Sequence, residues 1–372
     1  MPFLATVSKW LWCGTTAKVS TEEVVPTTNS KSTRRWDLPA DIVTEIMALL
    51  PGKKIAQHSC LCRVWSMAAK HPKLKQKTLL EKSWRSKDVS PMVQKLMQNG
   101  KICGVAQKDV EIAVGGPGFV RVWNTETRSV STTCQDVPYF EISCIRWIGE
   151  LILGGDSRGT IHGWDASTGK KVVQFEADIY VVCAIENLGN VLASGGGEQS
   201  IKLWKKGDWV LDKTLQGHTH RVCVLAGTTG GERLVSGSCD ASVRVWDVRS
   251  RKCLHVLHGH MATVSSLTVC GDVIASGSED FTVRLWGLSS GQCIRSFVNH
   301  KDWLGCVDLN GKLGVSGAWD KTVKVWNAAE EEECLQSLNV SSIPQKVWFD
   351  GEKLVAVTSK GELWIWDFSI DR

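Results

Sequence analysis

The sequence has no apolar run near the roughly 18 residues that a membrane-spanning helix requires, which excludes a span of that kind. Its mildly apolar start, Met1–Trp12, is interrupted by Lys9 and has no basic segment ahead of it, so a secretory leader is not expected. There is no phosphate-binding loop, metal-ligand cluster or unique nucleophile, and an enzyme, a metal and a cofactor are not expected. Fourteen cysteines are present, but no His/Cys set has zinc-finger spacing, and Cys60 and Cys62 are separated by a single residue. Cys253, Cys293 and Cys334 recur 40 and 41 residues apart, inside KCLHVL, QCIRSF and ECLQSL. They mark one position repeated and are expected as small buried apolar groups rather than disulfide partners. A reducing compartment, cytoplasm and/or nucleus, follows as the expectation.

What is abundant points to β structure. Glycine (34), tryptophan (18) and many short Val/Leu/Ile runs suit a chain of short strands and tight turns. A length of 372 residues leaves room for more than one domain. The net charge of +5 conceals a split: residues 31–100 carry 14 Lys/Arg against 5 Asp/Glu, whereas residues 101–372 carry 28 against 32. A basic front half suits nucleic acid, an acidic protein partner or simply a solvated surface.

Tryptophans that end an alternating apolar strand stand at 123, 164, 204, 246, 286, 326 and 366, at intervals of 40 to 42 residues. Around them, VIASGSEDFTVRLW (273–286) shows two strands joined by a turn, with VSSLTV before and CIRSFV after. Four strands per forty residues is one propeller blade, and seven such units predict a seven-bladed β-propeller over 102–372. Lys and Arg between the apolar positions are expected to pack their stems and keep their charges wet.

These segments resemble WD40 repeats. In that family a His, a strand Ser, a turn Asp and the strand Trp form a buried hydrogen-bond chain. The matching sets here are His218, Ser236, Asp240 and Trp246; His260, Ser276, Asp280 and Trp286; and His300, Ser316, Asp320 and Trp326. Three equivalent Ser–His–Asp groups beside structural tryptophans, with no GxSxG elbow, argue for a structural role and against a hydrolase. The third unit keeps Ser194 and Trp204 but has Glu198 at the Asp position, and the first, second and seventh keep little beyond the Trp. Only six residues follow Trp366, too few for an outer strand. The upstream segment is a candidate to supply it, yet Ser90–Gly100 has the caps of a short helix within a helical linker over 85–101. That leaves a three-stranded last blade as the alternative.

Upstream, residues 1–35 are Ser/Thr-rich around 15–33 and are expected to be a disordered lead-in. Residues 36–84 carry helical rather than strand periodicity, with Ile42, Ile46, Leu49 and Leu50 on one face. This small all-α domain resembles an F-box: Leu38-Pro39-Ala40-Asp41-Ile42 matches its opening and Leu61-Cys62-Arg63-Val64-Trp65 its later signature. Lys75 stands where the family often has a second Trp.

The resemblance implies a substrate receptor of an SCF-type cullin–RING ubiquitin ligase, a subunit without catalysis of its own. Leu38, Pro39, Ile42, Ile46, Leu61, Cys62 and Trp65 would bind a Skp-type linker subunit, which joins the cullin scaffold. The propeller would hold an unknown protein substrate, with no small-molecule substrate and no membrane. In related receptors the ligand faces the residue before the turn Asp, here Cys239, Glu279 and Trp319. It also faces a position that in the family stands fifteen before that Asp, and counting from each Trp places it here at Ser143, Cys183, Cys223, Ser265, Gly305 and Gln345. None of the latter is Arg, which argues against a phosphate-reading pocket. His220, Arg221, Lys301 and Trp303 complete the candidate face, and Trp303 with Trp319 suits an aromatic anchor with Arg221 nearby. Tyr139, Phe140 and Tyr180 are further rim candidates. The alternative is a propeller scaffold outside any ligase, docked to a ribosome or RNA through its basic front end.

Overall fold

The computed structural model describes residues 90–96, 100–298, 300–329 and 334–368. The expected lead-in 1–35 and the expected helical domain 36–84, with Leu38, Pro39, Ile42, Ile46, Leu61, Cys62 and Trp65, lie outside these residues. Among the described residues, twenty-eight strands form seven four-stranded antiparallel sheets, each laid down in chain order from the central channel outward except the last. The seven channel strands, from Gly104–Lys108 in blade 1 to Pro344–Phe349 in blade 7, each contact the next. The blades therefore close into a ring.

Both faces of each blade are covered by its neighbours, and the sequence pattern answers to that. The second strands, such as Arg233–Ser238 and Val273–Ser278, are buried on both sides along nearly their whole length. They are built of small and β-branched residues because there is no room for more. A Cβ on Gly237 would stand 2.6 Å from Val264 of the next blade, and one on Gly155 2.6 Å from Val182. The third strands alternate: Val243 and Val245 are fully buried while Arg244 between them is half-buried. Seven apolar clusters occupy the seven blade interfaces. Six of the seven strand tryptophans are buried in them, Trp123 being the half-buried exception.

Ring closure differs from the helical expectation. Met92–Lys95 is a strand, paired antiparallel with Glu362–Asp367 from Met92↔Ile365 to Lys95↔Glu362. The described part of the 85–101 linker is thus not helical, the propeller begins at Met92 rather than 102, and the last blade has four strands. The physical reason is non-local. Pro91 and Gly100 bound a strand as readily as a helix, and a helix this short is marginal in water. The open edge of Glu362–Asp367 instead offers a ladder of backbone partners. Leu96 and Ile102 then bury against Ile112, Val114, Val357 and Leu363, sealing blade 7 to blade 1.

The repeated cysteines also differ from expectation: Cys253 is half-buried, and Cys293 and Cys334 are exposed. They lie at the start of the outermost strand region, where solvent covers one side, and their thiols approach the carbonyls of His255, Arg295 and Gln336.

Replacing Val93 and Gln94 together by proline removes at least one ladder donor whichever alternate residue faces Glu362–Asp367. The double variant is expected to lose about 2–4 kcal/mol in urea unfolding of the full chain, with a broader transition as the ring opens.

Candidate recognition face

At one end of the ring, two kinds of loop emerge: those entering each channel strand and those joining each second strand to the third. Buried hydrogen-bond networks fix both. In blade 4, His218 Nδ1 meets Asp240 Oδ2 at 2.8 Å and His218 Nε2 meets Ser236 Oγ at 2.7 Å, while Trp246 Nε1 donates to Ser236 Oγ at 2.8 Å. Blade 5 repeats this with His260, Asp280, Ser276 and Trp286 at 2.7 to 2.9 Å. Each Asp also accepts backbone N–H groups from the opposite loop and from its own turn, such as Thr219 and Ser242 for Asp240. One carboxylate thereby ties two loops together.

Blade 6 keeps His300–Asp320 at 3.1 Å and His300–Ser316 at 2.8 Å, but the buried Trp326 Nε1 has no partner. The cause is Gly314, paired opposite Trp326 where Leu234 and Ile274 stand opposite Trp246 and Trp286. The ring fills that space, so that a Cβ on Gly314 would fall 2.0 Å from it.

The divergent blades satisfy the same loops differently. In blade 3, Trp204 Nε1 donates to Ser194 Oγ at 2.8 Å, and Asp178 occupies the His position, accepting the Tyr180 and Glu198 N–H groups. Blade 2 instead buries His162 against Asp156 at 2.9 Å. Burial alone would raise Asp240, but hydrogen bonds from Ser242, the Thr219 N–H and His218 outweigh it and hold its carboxyl well below the ordinary range. The same competition depresses Asp280 and Asp320. His218 is lowered, chiefly by burial.

The six positions counted from the tryptophans share one local feature. Ser143, Cys183, Cys223, Ser265, Gly305 and Gln345 each sit where the channel strand's register shifts against its partner. A bulge re-aims its residue, and all six line the central channel, a cavity of about 480 Å³. Above it is a depression of about 340 Å³ that brings Arg221 and Glu279 together with Ser143, Cys183, Cys223 and Ser265.

Trp303 and Trp319 pack on one another with centroids 5.2 Å apart, and the Trp319 N–H donates to the Trp303 carbonyl. They remain 44% and 46% exposed, facing solvent rather than filling a blade interface. Arg221 lines the depression and neither tryptophan does. His220 and Lys301 are exposed beside their tetrad histidines, and Cys239 is half-buried. Tyr139 (93% exposed), Phe140 and Tyr180 continue the rim, and the Arg158 guanidinium lies 3.6 Å over the Phe140 ring.

Sequence reasoning missed Ile179, Met261 (89% exposed) and Phe281 on the same face. A signal existed: each directly follows a network residue, namely Asp178, His260 and Asp280. Phe281 holds a left-handed backbone with φ of 69°, a conformation costly for a bulky side chain. Ala241 and Lys321 share it at the equivalent turns, so the blade dictates the conformation and the aromatic group is an addition.

The F-box domain family model matches residues 36–77. The model of the WD domain, G-beta repeat, matches 209–247, 251–287 and 291–327. The anaphase-promoting complex subunit cdh1 of Dictyostelium discoideum is 31% identical over 37% of this chain and 19% of its own length. The nuclear distribution protein nudF 1 of Talaromyces marneffei is 27% identical over 50% of this chain and 42% of its own length. FIZZY-RELATED 1 of Arabidopsis thaliana is 27% identical over 50% and 41%. The chain thus spans less than half the length of these relatives. Among solved structures, the computationally designed Ika8 protein superimposes with a TM-score of 0.61 at 21% identity, over 74% of this chain and 99% of that one. That likeness is one of fold.

Ser276→Ala strands both His260 and Trp286 and is expected to cost about 1–3 kcal/mol, whereas Ser316→Ala strands only His300 and costs less. Urea unfolding of the two variants checks the order. The depressed carboxyls give a sign to the pH dependence as well. Below about pH 4 the unfolded chain takes up protons that the folded Asp240, Asp280 and Asp320 refuse, so stability falls as pH falls through that range. His218, lowered on folding, adds a loss in the same direction that begins near its ordinary range. Asp280→Asn is expected to be less stable at neutral pH and to show a shallower acid limb in the same titration.

Proposed function

Proceeding from a chain that is an F-box/WD40-repeat protein, we propose that it is the substrate-recognition adaptor of an SCF-type cullin–RING ubiquitin ligase. F-box and WD40 proteins are generally non-catalytic adaptors, and the division of labour follows from the two parts. The segment 36–77 docks on a Skp-type linker subunit through Leu38, Pro39, Ile42, Ile46, Leu61, Cys62 and Trp65. The propeller presents its loop face to the protein to be ubiquitinated.

The observation that carries this reading is the rim of large apolar side chains left exposed around one mouth of the ring. Such groups are disfavoured in water unless a partner covers them, and clustered aromatic side chains are the composition of binding hot spots. The excess of nine positive charges over residues 31–100 supports an acidic partner for the front segment, chiefly by speeding encounter. With no Arg at the six bulged positions, the guest is recognised through apolar anchors rather than through a phosphate. The adaptor acts in the cytoplasm or nucleus, where such ligases meet their substrates.

The two parts are separable by mutation. Changing Leu38 and Pro39 to alanine is expected to remove the linker subunit and cullin from a pull-down of the full chain. Changing Trp303 and Trp319 to alanine is expected to keep both while weakening the guest, found by proximity labelling under proteasome inhibition, by tenfold or more, about 2 kcal/mol for a hot spot. Cullin retention in the first variant, with salt-sensitive RNA binding in its place, would overturn the reading in favour of an RNA-docked scaffold.

A further inference from the structure

Two positions recur on the recognition face of blades 2 to 7: the bulged channel residue and the residue seven before the strand Trp. They are Ser143 and Ser157 in blade 2, Ser265 and Glu279 in blade 5, and Gly305 and Trp319 in blade 6. In blade 4 both are cysteine. Ser143 and Ser265 turn their hydroxyls to carbonyls of the following blade, those of Val182 and Leu304, at 2.5 Å. Cys223 turns instead across its own blade, and its Sγ stands 3.3 Å from Cys239 Sγ. The backbone holds the two in place: the Cys239 N–H donates to the Arg221 carbonyl at 3.0 Å, and Cys223 lies two residues further along that strand. With the sulfurs already this close, a shift of about 1.3 Å brings them to disulfide bonding distance.

We propose that Cys223 and Cys239 form a redox modification site, closed to a reversible disulfide by a peroxide-class oxidant. The Cys239 sulfur attacks one peroxide oxygen. The S–O bond forms as the O–O bond breaks, and the leaving hydroxide takes the Cys239 proton and departs as water, giving a sulfenic acid. The Cys223 sulfur then attacks the Cys239 sulfur. The S–S bond forms as the S–O bond breaks, and the departing hydroxide takes the Cys223 proton as a second water. Two thiols and one peroxide thus give one disulfide and two waters.

The division of roles follows from position. Burial, with the neighbouring thiol, pushes Cys223 up to about 12, which keeps it protonated and quiet until its partner is oxidised. Cys239 is half-buried at the mouth, with the Arg221 guanidinium in electrostatic reach. Reactive thiols occupy partially exposed, electropositive surroundings of that kind. Closing the bridge ties the strand end at Arg221 to the turn carrying Asp240. The disulfide is independent of what the face binds.

The test is a hydrogen peroxide titration of the reduced full chain. Free thiols are blocked with one alkylating label, the protein is reduced, released thiols take a second label, and peptides are mapped. Cys223 and Cys239 are expected to exchange labels together, about tenfold faster than the exposed Cys293 and Cys334, and to be restored by dithiothreitol. In Cys223→Ser, Cys239 is expected to accumulate a sulfenic acid trapped by a cyclic 1,3-dione, with no disulfide. Oxidation of Cys293 and Cys334 while the pair keeps the first label would overturn the proposal. So would independent exchange at the two positions.

Discussion

A short backbone ladder between Met92–Lys95 and Glu362–Ile365 holds the ring closed, and the rest of the structure depends on it. Each blade is stable only because another covers both of its faces, so no interface is independent of the others. The interface between blades 7 and 1 is the one that chain order does not supply. The upstream strand supplies it by joining the chain's last blade to residues that lead directly into its first, and Leu96 and Ile102 then bury across the seam. With the seam shut the edge of Glu362–Asp367 is paired, only the short strand Met92–Lys95 is left at the outer rim of blade 7, and the seven channel strands are held at fixed spacing around one cavity.

Fixed spacing alone does not make a surface. The loops at the recognition end must pass from one buried strand to another with backbone donors and acceptors in tow, and each blade needs an internal acceptor for them. Blades 4, 5 and 6 use an Asp tied to a buried His, whereas blade 3 uses Asp178 with Glu198 and blade 2 uses Asp156 with His162. What these five blades share is an anion that accepts backbone N–H groups near the end of the second strand. The residue types around it vary because burial and hydrogen-bond supply are what matter, not the particular chain of atoms.

That distinction explains what was legible in the sequence. Tryptophans at intervals of 40 to 42 residues expose the ring because they mark an interface that recurs in every blade. Counting back from them finds the six bulged residues at the channel, since a fixed blade geometry turns a sequence offset into a position. Closure was not legible: the partner of Met92–Lys95 lies some 270 residues away, and local capping signals do not report a distant open edge. Nor was the turned Trp326, whose orientation depends on a missing side chain at Gly314 on the adjacent strand. The repeated cysteines were misplaced because recurrence reveals an equivalent position without revealing which layer it occupies, and the outermost layer faces water. For the front segment, the F-box match rests on the residue signature alone.

The recognition face joins these threads. Its scaffold residues are fixed by burial and hydrogen bonding, and the positions next to them are free to vary at little cost to the fold. At those free positions the chain has placed Met261, Phe281 and Trp319, each adjacent to a tetrad residue, and Trp303 close by. A side chain held beside an anchored neighbour loses little further freedom when a partner arrives, so apolar contact made there translates more fully into affinity. Phe281 sharpens the point: the turn would favour glycine at that backbone angle, yet it carries an exposed aromatic ring. Neither folding nor solubility favours that choice, whereas coverage by a guest does.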